Sequence, residues 1–242
     1  MAERSRLDLL TQLRYPEYSR TQIQSWVLQG AVLVNGTPLT KPGASIPVDA
    51  EIIITADEPK YVSRGGLKLE KALQVFAINI AGKTALDAGI STGGFTDCLL
   101  QHSIAHVYGI DVGYGQVHEK IRTDERVTII ERTNVRHYQP EHDPVDIITF
   151  DLSFISLLKV LDTVARTLKP GGILLPLIKP QFEADKGSVP SGGVIKDDKL
   201  REQIVAQVIA GIVAQGFTHH GFTESPILGA TGNKEYLAWF TR

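Results

Sequence analysis

Asp87-Ala88-Gly89-Ile90-Ser91-Thr92-Gly93-Gly94-Phe95-Thr96 decides the fold of this 242-residue chain. Thr84-Ala-Leu-Asp-Ala88 reads as a strand and Phe95 to Gln101 as a helix. Glycines between the two allow a tight turn and a close approach of backbone to ligand. Roughly twenty residues on, the usual interval for a ribose-binding acid, Asp111 ends a second strand, His106-Val-Tyr-Gly-Ile-Asp111. Dinucleotide enzymes and S-adenosylmethionine enzymes both use such an acid, so Asp111 alone leaves both open. Asp87 separates them. A carboxylate beside the turn would repel a pyrophosphate, which needs bare amides, yet it suits a ligand bearing an ammonium and a sulfonium. The spacing also departs from Gly-x-Gly-x-x-Gly. The expected cofactor is S-adenosylmethionine, with Asp87, Gly89, Ser91, Thr92, Gly93, Gly94, Phe95, Asp111 and Val112 as candidate contacts. Asn134 either reaches the adenine edge or simply forms a turn.

Toward the C-terminus the alternation continues. Val127-Thr-Ile-Ile130 and Val145-Asp-Ile-Ile-Thr-Phe150 read as strands, 156–168 as a helix stopped by Lys169-Pro-Gly-Gly172, and Ile173 to Ile178 as a buried strand. A helix follows over 200–215, closed by Gly216, and strands over 217–223 and 236–240 complete the sheet. Repeated strand–helix units imply a mostly parallel, doubly wound α/β sheet with its ligand at the strands' C-terminal edge.

Toward the N-terminus the pattern changes. Leucines at helical spacing in Arg6 to Leu13, then Ser19 as an N-cap before Ile23, Trp26 and Val27, predict two short helices. Gly30 closes the second. Ala31-Val-Leu-Val34 runs into Asn35-Gly36, a hairpin turn signal, and Glu51 to Thr55 supplies a further strand. These elements predict a small α+β domain over 1–56, a linker over 57–62 and the larger domain over 63–242.

Hydrophobic residues make up 43% of the chain, enough for a core, and no apolar run approaches the roughly 18 residues of a membrane helix. Met1-Ala-Glu-Arg-Ser-Arg6 begins a mixed polar segment, unlike the apolar core of a signal peptide. Cys98 is alone, which excludes an internal disulfide and fits a reducing compartment, so a cytoplasmic protein is expected. The net charge of −2 does not look like a nucleic-acid binder. Residues 1–48 differ, with Arg4, Arg6, Arg14, Arg20 and Lys41 against Glu3, Asp8 and Glu17.

Four side chains are expected where elements end at the crevice: Lys68, Asp151, Lys179 and Glu235. An aliphatic hydroxyl must shed its proton as it accepts a methyl group. A lysine can take that proton only if desolvation or a second cation depresses its own pKa. Lysines at apolar strand ends are unusual, because burying an unpaired ammonium is costly. Singly each is a surface charge flanking a strand; as a set they are a catalytic cluster.

Ser19-Arg20-Thr21-Gln22, Gly30-x-Val32-x-Val34-Asn35-Gly36 and Lys41-Pro42 resemble the S4-type RNA-binding module. Val62-Ser-Arg-Gly-Gly-Leu-Lys68, the Asp87–Thr96 stretch, Asp111-Val-Gly-Tyr-Gly-Gln116, Glu131-Arg-Thr-Asn134, Asp151-Leu-Ser-Phe-Ile-Ser156 and Lys179-Pro-Gln-Phe182 resemble the TlyA (hemolysin A) family. Its catalytic domain is similar to the FtsJ/RrmJ-type RNA 2′-O-methyltransferases. The resemblance implies a Rossmann-like class I S-adenosylmethionine methyltransferase sheet behind an S4-like domain, with a Lys-Asp-Lys-Glu tetrad at Lys68, Asp151, Lys179 and Glu235. It also implies ribosomal RNA or ribosomal subunits as partner, cytidine 2′-hydroxyls of 16S and possibly 23S RNA as targets, and Arg4, Arg6, Ser19, Arg20, Lys41 and Arg64 as RNA contacts. Ile90 stands where the family usually has Ala.

Two rivals remain. Asp151-Leu-Ser-Phe154 is similar to the Asp/Asn-Pro-Pro-aromatic loop of enzymes that methylate base amines, with Phe154 stacking on a flipped base. An exocyclic amine needs no lysine pair, however, and the prolines are missing. A pore-forming hemolysin would need a leader, a spanning helix or an amphipathic segment, and none is legible. The seven histidines, including His219-His220, lack metal-ligand spacing, so no metal is expected.

Overall fold

The computed structural model describes residues 3–56, 59–185 and 187–242. The chain divides into two compact units, Met1–Glu58 and Pro59–Arg242. Of the expected linker, Asp57 and Glu58 lie outside the described residues. Tyr61 is already buried in the core of the second unit, and the Val62 amide bonds to Asp97 there.

The first unit holds β1 (Arg4–Arg6), α1 (Leu7–Arg14), α2 (Arg20–Leu28), β2 (Val32–Val34), β3 (Thr37–Pro38), β4 (Ser45–Pro47) and β5 (Ile52–Ile54). Ser19 Oγ accepts the Gln22 amide and starts α2, and Gly30 ends it in the left-handed region at φ 75°. Asn35 and Gly36 both adopt positive φ, as the β2–β3 hairpin turn requires. β3, β2 and β5 form an antiparallel sheet, and β1 pairs with β4. Leu7, Leu10, Ile23, Trp26 and Val27 from the helices close a core with Val32, Val34, Ile46 and Ile52.

The second unit is one seven-stranded sheet. Its strands are β6 (Thr84–Ala88), β7 (His106–Ile110), β8 (Val127–Ile130), β9 (Val145–Phe150), β10 (Leu168–Ile178), β11 (Thr218–Glu224) and β12 (Tyr236–Thr241), in the order β11-β12-β10-β9-β6-β7-β8. β6 to β10 run parallel; β12 enters antiparallel between β10 and β11. The chain leaves β6 in one direction and returns to its other side at β9, so the crevice opens above the ends of these two strands. The period of two splits the core. Leu86, Ile148 and Leu174 pack on one face with residues of α6 (Leu161–Thr167) and α8 (Asp198–Ala214). Ala85, Ile147 and Leu175 pack on the other with α3 (Gly65–Val75) and α4 (Gly94–Gln101). Of two short helices, α5 (Glu119–Arg122) packs against β8 and α7 (Pro180–Glu183) against α8.

Two elements differ from the sequence expectation. The helix expected over 156–168 is a 3-10 turn, Leu157–Val160, followed by α6. Its expected stop signal is already strand: β10 starts at Leu168, and its register against β9 slips between Leu168 and Ile173. Pro170 has no ladder N–H and Gly171 takes φ 72°, so the extra residues bulge while the Lys169 ammonium anchors to Asp146 Oδ1 at 2.7 Å. The second difference is α3, an element not anticipated from the sequence, which starts at Gly65-Gly66. Those glycines let helices approach: a Cβ on Gly66 would stand 2.3 Å from Tyr61 Cγ, and one on Gly94 of α4 would stand 2.2 Å from Ser63 Oγ and 3.0 Å from the Gly66 nitrogen.

Gly94→Ala should therefore push α3 from α4 and lower unfolding free energy by about 1–3 kcal/mol. Gly192→Ala, where a Cβ meets nothing within 4 Å, should stay within about 0.5 kcal/mol. Urea denaturation of the two variants checks the contrast.

Candidate active site

The turn after β6 is shaped by what it must avoid. Gly89 sits at φ 91°, and a Cβ there would lie 2.7 Å from the Asp151 carbonyl oxygen. Gly93, at φ 100°, would drive a Cβ to 2.9 Å from Ile121 Cγ1. Ser91 also takes positive φ, and its amide donates to Asp111 Oδ2 at 2.8 Å, while the Gly113 amide donates to Oδ1 at 2.7 Å. Asp111 thus ties the turn to the end of β7. Beside the turn lies a cavity of about 230 Å³, lined by Gly89–Thr92, Gly94, Phe95, Ser63–Gly65, Lys68 and Asp151, with Ile227, Leu228 and Ala230 on its far side.

The candidate cofactor residues do not all face this space. Asp87 is fully buried. Alternation along β6 puts it on the Ala85 side, beneath α4, where Thr96 Oγ1 donates to Oδ2 at 2.7 Å and Thr149 Oγ1 to Oδ1 at 2.9 Å. It holds the turn to α4 and β9 rather than lining the cavity. Burial pushes its carboxyl up to about 6; the two threonine hydroxyls oppose the rise and the Asp151 charge adds to it. Val112 is exposed and, with Asp111, lies beyond the cavity lining. Asn134 Oδ1 accepts the Arg136 amide and caps a 3-10 turn.

The four candidate catalytic residues form two ion pairs. Lys68, in the first turn of α3, donates to Glu235 Oε2 at 2.5 Å, and both side chains are buried. Lys179, just after β10, stands 2.6 Å from Asp151 Oδ1 and 3.2 Å from Ser153 Oγ. One lysine and one carboxylate, Lys68 and Asp151, line the cavity; Glu235 and Lys179 are their partners. Glu235 fits because residue 229 is glycine: a Cβ there would stand 2.3 Å from Glu235 Oε1.

Sequence reasoning named Phe154 only as a ring for a flipped base and missed Glu183 and Asn233, which help to hold this arrangement. Phe154, in the left-handed region at φ 65°, is 89% exposed and packs on Phe182 with ring centroids 4.9 Å apart. Glu183 Oε1 accepts the Leu157 amide at 2.8 Å, and burial raises the pKa of Glu183. Asn233, almost fully buried, receives the Ile195 amide on Oδ1 and donates to the Gly193 carbonyl. The first four residues of Lys179-Pro-Gln-Phe-Glu183 were visible as a motif, but not which neighbour each would reach.

In the smaller unit, Arg6 and Arg20 both bind the buried carboxylate of Asp8. Arg4 donates to Ser45, Ser19 caps α2, and Lys41 is exposed in a turn that closes with the Ala44 amide. Arg64 belongs to the larger unit and lines the cavity.

A parallel sheet with one antiparallel strand beside its last edge strand, and a glycine turn above its switch point, is the fold of S-adenosylmethionine-dependent methyltransferases. The FtsJ-like methyltransferase model matches residues 61–242 and the S4 domain model residues 6–52. Hemolysin A of Brachyspira hyodysenteriae is 45% identical over 92% of this chain and 93% of its own length. The 16S/23S rRNA (cytidine-2'-O)-methyltransferase TlyA of Mycobacterium tuberculosis is 42% identical over 99% of this chain and 90% of its own. A solved hemolysin homologue from Streptococcus thermophilus is 37% identical, with a TM-score of 0.78 over 100% of this chain and 90% of that one. The chain belongs to the TlyA (hemolysin A) family of FtsJ-like methyltransferases.

Two outcomes follow from the buried charges. Asp87 is easier to protonate in the folded chain than in the unfolded one. Its contribution to stability is complete below about pH 4 and is lost as pH rises through about 6. A shift of about two units corresponds to about 3 kcal/mol. Relative to Asp87→Asn, the wild type should lose that amount between pH 4 and 7, read from urea unfolding; parallel curves would contradict the assignment. Lys68→Met leaves Glu235 buried without its cation and should cost about 3–5 kcal/mol, whereas Lys68→Met with Glu235→Leu should recover much of it.

Proposed function

We propose that this protein methylates the ribose 2′-hydroxyl of a cytidine in ribosomal RNA, 16S and possibly 23S, using S-adenosylmethionine in the cytoplasm. The observation that carries the reading is the pair of lysine–carboxylate bridges meeting at one cavity beside the glycine turn. The residues fit the cofactor. Gly89 brings backbone without a side chain to the cavity wall, Asp111 keeps lone pairs for a ribose diol although two amides already bond to it, and Ile90 and Phe95 supply apolar walls. S-adenosylmethionine, when bound, supplies an electrophilic methyl group. Arg4, Arg6, Arg20 and Lys41 hold RNA through its phosphates, Ser19 fixes the helix start beside them, and Arg64 meets RNA at the cavity rim. Phe154 offers an exposed ring beside Asp151 on which a base can stack.

Lys179 takes the proton from the 2′-hydroxyl as the oxygen accepts the methyl group. Asp151 and Ser153 orient its amine, and Lys68, itself held by Glu235, adds the positive field that favours release of the hydroxyl proton. The 2.6 Å contact pairs Lys179 with the Asp151 carboxylate, and that supports a second role, in which a charged Lys179 only positions the hydroxyl. A base-amine methyltransferase would require neither bridge.

Methylation of purified ribosomal subunits with labelled S-adenosylmethionine, followed by nucleoside mass spectrometry, tests the reaction. The expected product is 2′-O-methylcytidine, and a methyl group on a base amine would overturn the ribose reading. Arginine keeps the charge of Lys179 but cannot act as a base. Lys179→Arg should therefore lose about 10²–10⁴-fold in single-turnover rate while binding the cofactor normally. Substantial activity in that variant would assign the positioning role instead.

A further inference from the structure

The cationic face of the S4 unit contains a carboxylate that, by charge alone, works against an anionic partner. Asp8 is fully buried. Its Oδ1 receives Arg6 Nε at 2.9 Å, and its Oδ2 receives Arg6 Nη2 at 2.9 Å, Arg20 Nη2 at 3.0 Å, Arg20 Nε at 3.1 Å and Gln24 Nε2 at 2.8 Å. The Asp8 amide bonds the Pro42 carbonyl and the Leu7 amide bonds the Ala44 carbonyl, which brings the Lys41–Ala44 turn alongside. A Cβ at Gly43 would stand 3.6 Å from the Arg6 guanidinium carbon, an ordinary contact distance, so the turn lies close to that group. The Arg6 guanidinium, the largest influence, holds the Asp8 carboxyl far below the usual carboxylate range, so it stays ionised.

Both guanidiniums remain about half exposed. Each engages Asp8 through its Nε–Nη2 edge, and a guanidinium has five donors, so the opposite edge can serve a second anion. A free arginine would lose rotamer entropy on binding; these two are ordered before any partner arrives. Arg4, two residues before Arg6 on β1 and therefore on the same side of the strand, is likewise held, by Ser45.

We infer that Asp8 is a positioning residue for RNA: it presets Arg6 and Arg20 as a paired fork for neighbouring backbone phosphates. This rests on the RNA reading above and deepens it. The structural alternative is that Asp8 merely neutralises buried charge, in which case its removal would leave two freer cations and a surface better suited to RNA.

The two readings predict opposite signs. Asp8→Asn makes the chain one unit more positive, yet through loss of the fork it should bind a fluorescently labelled ribosomal RNA hairpin about fivefold or more weakly. The fall of affinity with salt should also become shallower, because fewer phosphates are engaged. Arg6→Lys and Arg20→Lys keep the charge and remove the two-pronged contact with Asp8; each should weaken binding about threefold or more. All measurements use the full chain, with thermal unfolding and S-adenosylmethionine titration as checks on folding. A folded Asp8→Asn protein that binds as tightly as wild type, or more tightly, overturns the inference. If Asp8→Asn does not fold, wild-type affinity in both lysine variants overturns it. A wild-type chain that fails to bind the hairpin even at low salt overturns the RNA reading itself.

Discussion

An ammonium shut away from water must find a carboxylate within contact, and in this protein that requirement ties together four separate stretches of chain. Lys68 lies in the first turn of α3 and Glu235 immediately precedes β12; their 2.5 Å bridge fixes the helix to the sheet at the crevice. Lys179 and Asp151 follow adjacent parallel strands, and theirs joins the two loops above those strands. Removing one partner from such a pair strands the other, so each bridge makes its two elements interdependent.

The same logic of mutual support extends outward. The carbonyl of Asp151 leaves room at position 89 only for hydrogen, so the glycine turn and the Asp151 loop are fitted against one another. Asp111 receives amides from the turn and from its own loop. Glu183 and Phe182 brace the stretch from Phe154 to Leu157, and Asn233 binds the 193–195 backbone to the segment that carries Glu235. These loops are tied to one another near the cavity because each supplies a partner the other lacks. The exposed Phe154, held at positive φ, is the part left facing outward.

Much of this was legible in the sequence because it depends on local chemistry. The glycines with Asp87 and Asp111, the alternation of strands and helices, and Asn35-Gly36 with its hairpin all express backbone rules that act over a few residues. What was not legible depends on distance. Asp87 sits beside the glycine turn in sequence, but the period of two turns it under α4 and toward Thr96 and Thr149. α3 begins with two glycines, a poor helix start in isolation, and is explained only by the close passage of Tyr61 and α4. Strand β1 is three residues long and has no periodicity to read; it exists because β4 offers it an edge. The lysines and carboxylates could be named as a set, but which lysine would meet which acid required the topology.

That topology also sets a timetable. Lys68 and Glu235 lie 167 residues apart, and the strand that Glu235 introduces must be inserted between β10 and β11 after both have been made or in concert with the latter. A chain synthesised from its N-terminus at about 5–20 residues per second therefore exposes its S4 unit and its glycine turn several seconds before the fourth charge of the cluster exists. During that interval the nascent protein carries Lys68 without its counter-ion, and the closure of so long a loop is left to the last strand. Assembly of the four-charge cluster is thereby coupled to completion of the sheet.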